Sequence, residues 1–243
     1  MWSRVKTWVY RQRFCPSALG GIITPFYFAR RGLYLSIKRL VEHITGAVLD
    51  VGCGSKPYQH LFGANTYIGM EIQRTAKQGS MKADVLYDGK VFPFRTEYFD
   101  SVLCSQVLEH VFEPNAFLKE IYRVLKPGGS LLLTTPFVWD EHEQPADYAR
   151  YTSYGLHYLL KTNGFRIIEQ CKTISDGRCF FQLANGVIYK KIMPLSKSVR
   201  FAFSAIFPLV NLLGSLIGRL LPRNQDLYLD NVILARKGVE YGT

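Results

Sequence analysis

Acidic residues are scarce in this chain, 19 against 30 lysines and arginines, and the shortage is uneven. Residues 1–41 contain none, while Arg4, Lys6, Arg11, Arg13, Arg30, Arg31, Lys38 and Arg39 all fall there, so most of the net charge of +11 is N-terminal. An acid-free arm interleaved with Trp2, Trp8, Tyr10, Phe14, Phe26, Tyr27 and Phe28 suits an anionic membrane surface or a phosphate-bearing partner; a solvated leader is the plain alternative. Cysteine is also sparse. Cys15, Cys53, Cys104, Cys171 and Cys179 form an odd set without a C-x-x-C pair, which argues against a disulfide framework and a cysteine zinc site, and predicts a reducing, cytoplasmic setting with no metal. No uninterrupted apolar core precedes a cleavage-like site, which argues against a secretory signal, although an Arg-rich, acid-poor start is shared with organelle transit peptides. There is no internal repeat and no low-complexity tract.

At 243 residues the chain is long enough for one well-buried α/β domain with additions. Ala47-Val48-Leu49-Asp50-Val51 is a short apolar run feeding Gly52-Cys53-Gly54, the pattern of a buried parallel strand entering a tight turn. Thr66 to Glu71, Ala83 to Val85, Phe99 to Cys104, Ser130 to Thr134, Phe165 to Thr173 and Leu227 to Arg236 are six further strand candidates. Glu113-Pro114-Asn115 announces a helix with Phe117, Leu118, Ile121, Tyr122 and Leu125 on one face, stopped by Lys126-Pro127-Gly128-Gly129; Ser153 to Lys161 is a second, ended by Asn163-Gly164. Alternation of this kind predicts a mostly parallel sheet with helices on both faces.

One stretch breaks the pattern. Phe201 to Gly218 is eighteen residues without a charge, the lower bound for a membrane crossing. A single crossing would strand Leu227–Arg236 on the wrong side of the membrane from its sheet. Arg200, Ser204, Asn211, Ser215 and Arg219 fall near one helical face, so the segment reads as an in-plane amphipathic helix or hairpin kinked at Pro208, resting on lipid, on the domain's own core or on a second subunit. The expected organisation is a basic aromatic arm over 1–41 and a catalytic domain over 42–243 with an apolar helical insert at 194–222.

Val48-Leu49-Asp50-Val51-Gly52-Cys53-Gly54 is the most specific signal. Glycines at a strand-to-helix turn let backbone approach a ligand that any Cβ would repel, and the free N–H groups of a following helix favour a carboxylate or phosphate. A dinucleotide turn would read G-x-G-x-x-G; here the third glycine is missing and Ser55-Lys56-Pro57 follows.

These residues resemble motif I of the class I S-adenosylmethionine-dependent methyltransferases, in particular the broad type 11 group. The likeness continues through Glu71, Asp84, Phe99-Asp100 to Glu109-His110, and Arg123-Val124-Leu125-Lys126-Pro127-Gly128-Gly129, covering about residues 46–174. It implies an α/β fold with a Rossmann-like, seven-stranded doubly wound sheet, mostly parallel with an antiparallel last strand, and the apolar insert between the last two strands. It implies S-adenosylmethionine as cofactor, held by Asp50, Gly52, Cys53, Gly54, Glu71, Asp84 and Ser105, with Glu71 on the ribose and Asp84, or Asp88 nearby, on the adenine. One ionised carboxylate can accept both O–H groups of a ribose diol, which agrees with a glutamate at Glu71. Lys56 is a candidate partner for the cofactor carboxylate.

The loop Glu141 to Thr152 follows the fifth strand, at the sheet edge where open α/β folds bind substrates. His142 is the candidate base, with Glu141, Glu143 or Asp147 orienting or replacing it, and Glu141, Asp147, Tyr148, Arg150 and Tyr151 are candidate acceptor contacts. This loop, with Arg30-Arg31 and Ser55-Lys56-Pro57-Tyr58, resembles bacterial methyltransferases associated with cell-surface polysaccharide assembly. The expected activity is methyl transfer, to oxygen rather than nitrogen or carbon, on a small-molecule or lipid-linked acceptor such as a glycan intermediate, by a cytoplasmic enzyme peripheral to the inner face of a membrane; oligomeric state is not legible. A nucleic-acid methyltransferase is the enzyme alternative, disfavoured because Cys104-Ser105-Gln106-Val107 is not the Asn/Asp-Pro-Pro-aromatic turn that stacks a flipped base. A non-catalytic cofactor-binding module is the other.

Overall fold

The computed structural model describes residues 2–63, 66–73 and 82–238; of Trp2, Arg4 and Lys6 in the N-terminal arm only the backbone is described. Two compact units emerge, one of residues 1–35, 138–140 and 172–230, the other of residues 36–137, 141–171 and 231–243. The division falls inside the helix that begins at Tyr27, not at the 41/42 boundary expected. Three helices run through the arm, α1 (Trp2–Phe14), α2 (Gly20–Ile23) and α3 (Tyr27–Leu40). Ile37 and Leu40 are fully buried, so the end of α3 belongs to a hydrophobic core rather than to a solvated leader.

The larger unit is built on a sheet of seven strands among the described residues: β1 (Ala47–Val51), β2 (Thr66–Ile72), β3 (Val85–Tyr87), β4 (Phe99–Ser105), β5 (Leu125–Pro136), β6 (Phe165–Lys172) and β7 (Asp230–Lys237), in spatial order β3-β2-β1-β4-β5-β7-β6. β1 pairs parallel with β2 and β4, β2 with β3, and β4 with β5. The amide of Thr173 bonds Asp230 O at one end while that of Gly238 bonds Gly164 O at the other, so β6 and β7 run antiparallel. Val48, Leu49, Val51, Val102, Leu103 and Leu131 to Leu133 are fully buried, as strands covered on both faces require. Chain order reverses between β1 and β4, which places the ligand crevice of such a sheet above the C-terminal ends of those two strands.

The helices α4 (Pro114–Val124) and α5 (Ser153–Thr162) lie where the apolar spacing predicts them. Proline opens α4 at a position where its missing N–H costs nothing, and the Thr152 hydroxyl caps α5 by accepting from the Gly155 amide at 3.0 Å. Two expectations fail. β5 starts at Leu125, not Ser130, absorbing Lys126 to Gly129 as an irregularity in the register with β4. No α-helix follows the glycine turn: Lys56 sits at φ 55°, a left-handed conformation that interrupts helical winding, and only a 3₁₀ turn over Gln59–Leu61 separates β1 from β2 among the described residues.

In the smaller unit the segment between β6 and β7 holds three helices, α6 (Arg178–Ile192), α7 (Lys197–Phe203) and α8 (Ile206–Leu216). The helical insert thus starts well before the expected residue 194. Its break falls at Ser204-Ala205 rather than at Pro208, because a proline ring clashes with the carbonyl four residues back, here that of Ser204, and is tolerated only in a first turn.

Candidate active site

β1 delivers the chain into Gly52 at φ 67° and Gly54 at φ 49°, both in the left-handed region. A Cβ on Gly52 would come within 2.3 Å of Val107 Cγ2, so only glycine permits the approach to the turn after β4. Above Gly54 there is open space, with nothing within 4 Å of where its Cβ would be, the room a ligand needs. The turn is tied to β2: the amides of Gly52 and Cys53 donate to Met70 O at 2.9 and 3.1 Å, and that of Gly54 donates to Glu71 Oε2 at 3.0 Å. Glu71 is thus a buried carboxylate at the end of β2, beside an open glycine. These residues fit a ribose diol.

Asp50 is enclosed, with Oδ2 accepting from the Tyr67 hydroxyl at 2.7 Å. Burial pushes its carboxyl up to about 7; the Tyr67 hydrogen bond and the Lys56 ammonium pull the other way, and Glu71 adds to the rise. The unfolded chain loses this proton near pH 4, so the folded state holds it across pH 4 to 7 and stability falls through that window, with the cost complete above about 7. Asp50→Asn, which keeps an acceptor for Tyr67, is expected to be more stable than wild type at pH 8 by about 2–4 kcal/mol, with the gap closing toward pH 4. Urea unfolding at several pH values measures this, and a gap independent of pH would refute the buried-carboxyl account. Burial also drives the Cys53 thiol up to about 12 and raises that of Cys104, so neither offers a thiolate nucleophile.

Asp84 and Lys56 are brought together. They form an ion pair with each other, and Asp84 Oδ2 also accepts from the Gly69 amide at 2.7 Å. Asp84 immediately precedes β3, at the strand's start, whereas Asp88 directly follows Tyr87 at the C-terminal edge, with the Lys90 amide on its Oδ1 at 2.8 Å. Asp88, the alternative to Asp84, thus lies at the C-terminal edge where such a sheet binds its ligand. Lys56 is committed to a protein carboxylate instead of the cofactor's.

Ser105 closes β4, its hydroxyl 2.9 Å from that of Thr134 on β5, and Gln106 follows at φ 58° with its side chain on the same Thr134 oxygen at 3.2 Å. Beyond it a 3₁₀ turn, Leu108–His110, presents Glu109, fully buried, and His110. The acceptor loop docks here: the amides of Tyr148 and Ala149 donate to Glu109 O, and His110 Nδ1 is 2.6 Å from Ala146 O. The His110 and His142 rings meet edge to face at 4.8 Å.

Of the three acids weighed as partners for His142, Asp147 is the one that touches it, with Oδ2 3.3 Å from Nδ1 and accepting the His142 amide at 2.9 Å. Glu141 takes the Gln144 side chain at 3.0 Å, and Glu143 approaches His110 at 3.9 Å. Arg150 grips Asp147 with both terminal nitrogens at 2.7 Å, which makes it a packing anchor rather than an anion receptor. The Arg150 guanidinium and the His142 contacts hold the Asp147 carboxyl down to about 2 against its burial, so it is ionised at any working pH. Tyr148 stacks edge-on against exposed Phe112 at 5.4 Å, and the phenol of half-buried Tyr151 is pushed up by burial and by the charge of Glu109. Glu109 and His110 were legible only as part of a family block; a Glu-His pair just past a buried strand was the signal.

The strand order, the switch point and the glycine turn define a nucleoside-binding protein of the Rossmann-like class. Residues 49–133 match the family described as "Methyltransferase domain". A ubiquinone biosynthesis O-methyltransferase of Xanthomonas oryzae pv. oryzae is 36% identical over 100 residues, 36% of this chain and 42% of that protein, so the chain spans less than half the length of such relatives. Among solved structures, phosphoethanolamine N-methyltransferase 2 of Haemonchus contortus with S-adenosyl-L-methionine bound superposes with a TM-score of 0.54 at 17% identity, over 96% of this chain and 57% of that one. The [4+2]-cyclase SpnF superposes at 0.52 with 22% identity, over 84% and 81%, a reminder that this fold carries more than one chemistry. Residues 49–133 are thus those of a methyltransferase domain, and the glycine turn with Glu71 beside it fits S-adenosylmethionine as the cofactor.

Proposed function

We propose that the protein transfers the methyl group of S-adenosylmethionine to a hydroxyl oxygen of a small-molecule or lipid-linked acceptor, a glycan intermediate being the form the sequence suggests. The observation that carries the reading is the Asp147–His142 dyad in the loop after β5, placed to serve an acceptor that must lose a proton, and the likeness to an O-methyltransferase favours oxygen. The bound cofactor supplies an electrophilic methyl at a sulfonium, and displacement there needs chiefly a positioned acceptor; a base is needed when the nucleophile is a hydroxyl. His142 Nδ1 lies between Asp147 Oδ2 at 3.3 Å and Arg150 Nη2 at 3.4 Å, which holds the ring in place as the candidate base. Ser105, Gln106 and Thr134 form a fixed polar edge beside the glycine turn, suited to orienting the acceptor. The likeness to an O-methyltransferase supports the same reading.

The test is incubation with methyl-labelled S-adenosylmethionine and three acceptor sets: phenols, polyprenyl-linked sugars and primary amines. Label recovered as a base-stable methyl ether on one of the first two is the expected result. Label on the amine, or cofactor binding without transfer to any hydroxyl, would overturn the assignment to oxygen.

A further inference from the structure

The smaller unit is built with its polarity reversed. Asn211, on α8, is buried, donating from Nδ2 to Gly21 O at 2.8 Å and Thr24 O at 3.1 Å while its Oδ1 accepts from Asn185 of α6 at 2.9 Å. Gln182 of α6, also buried, accepts the Ala29 amide at 3.1 Å and donates to Pro25 O at 3.0 Å. Small residues complete the helix contacts: a Cβ on Gly214 would lie 2.7 Å from the Phe28 ring. The outward faces are apolar instead. Leu209, Leu212, Leu216 and Ile217 of α8 and its continuation are exposed, as are Phe180 and Val187 of α6, with Ile22 67%, Phe201 82% and Leu220 82% accessible. A helix in water buries its leucines and exposes its asparagine. Polar side chains and glycines between helices with apolar residues outside is the arrangement that lipid selects.

Charge and length narrow the occupant. Between Asp176 and Asp226 the sequence has no acidic residue, while Lys191, Lys197, Arg200, Arg219 and Arg223 lie along the same segment. Two copies of this face would bring like charges together; anionic headgroups would complement them. The stretch Lys197–Leu216 is long and apolar enough to cross a membrane by composition, with only 11% of it buried, yet it is broken at Ser204-Ala205. α8, with 11 residues, reaches about 16 Å, roughly half the hydrocarbon thickness. β6 and β7, which bracket the segment, are neighbours in one sheet, so the chain returns on the side it left.

We propose that α2, α6, α7 and α8 form a monotopic foot that sinks its outward apolar face into one leaflet of an anionic phospholipid bilayer. The reading is independent of the acceptor assigned above. The test is flotation of the full chain with phosphatidylcholine vesicles containing about a third phosphatidylglycerol, beside pure phosphatidylcholine, with cofactor affinity measured on the same preparations. Wild type is expected to float with the anionic vesicles and less well with the neutral ones. A Leu212→Ser/Leu216→Ser/Leu220→Ser variant, altered only at exposed positions, is expected to keep its melting temperature and cofactor affinity and to float at least about tenfold less. A folded, cofactor-binding wild type that stays in the dense fraction as a monomer would overturn the proposal. So would a vesicle-free dimer that the variant converts to monomer, which would give the face to a second copy.

Discussion

Glu71→Gln is expected to weaken S-adenosylmethionine binding by about 10- to 100-fold, and Glu71→Ala by about 100-fold or more, without acceptor present. The carboxylate sits buried at the end of β2 with the open space above Gly54 beside it. A ribose diol brings two O–H donors to such a group, each worth about 1.5–3 kcal/mol when the acceptor is charged and desolvated. Glutamine keeps one oxygen for the Gly54 amide, but loses the charge and sets a donor where Oε1 accepts from the Ile72 amide at 3.1 Å. Alanine loses the tie as well. The pair of variants therefore separates ligand recognition from turn stability: calorimetric titration should show lost affinity in Glu71→Gln with a small drop in melting temperature, and a larger drop in Glu71→Ala, which loses both backbone ties. Wild-type affinity in Glu71→Gln would mean that the ribose is held elsewhere and that Glu71 only fixes the turn.

Much of the sheet was legible because its signals are local and redundant. Seven short apolar runs bounded by glycine or charge match seven strands, and the valine and leucine positions of β1, β4 and β5 are fully buried. The errors cluster where a backbone dihedral overrides composition. Nothing in Ser55-Lys56-Pro57 announces that Lys56 adopts a left-handed conformation, and that one residue removes the helix expected after motif I. Lys126 to Gly129 read as a helix stop, correctly, but their incorporation into β5 depends on pairing across to Phe99 and Ser101, which no local pattern encodes.

The site divides in the same way. Asp50, Gly52, Gly54 and Glu71 were readable as a group because close backbone approach demands glycine, and the structure brings them together at the ends of β1 and β2. Which of two aspartates marks the strand edge depended on register: Leu86 lies opposite Glu71, so β3 ends at Tyr87 and Asp88 is the acid beyond it. The polarity of the insert was legible as periodicity and not as direction. Asn211 and Ser215 do share a helical face, but that face turns inward to Gly21, Thr24 and Asn185, because a buried asparagine with all its partners on neighbouring helices is stable where an unpartnered one is not.

His142→Gln is expected to lower kcat by about 100- to 10,000-fold while leaving the affinity for S-adenosylmethionine within a few-fold of wild type. The split follows from position: His142 lies in the loop after β5 with Asp147, while the cofactor residues lie on β1 and β2. Asp147→Asn should lose less rate but also destabilise the loop, since Asp147 takes both Arg150 nitrogens and the His142 amide. The neighbouring Glu109 and His110 raise a rival role. With His142 they bring ligand-type atoms within 4.8 Å of one another, a set of the right chemistry for a divalent cation. A tetrahedral ion with bonds of about 2.1 Å would draw its ligands to about 3.4 Å apart, closer than this cluster stands, which favours proton transfer. Dialysis against a chelator should accordingly leave the rate unchanged. A rate abolished by the chelator and restored by one divalent metal, with Glu109→Gln and His142→Gln both failing to bind that metal, would make the cluster a Lewis acid site instead.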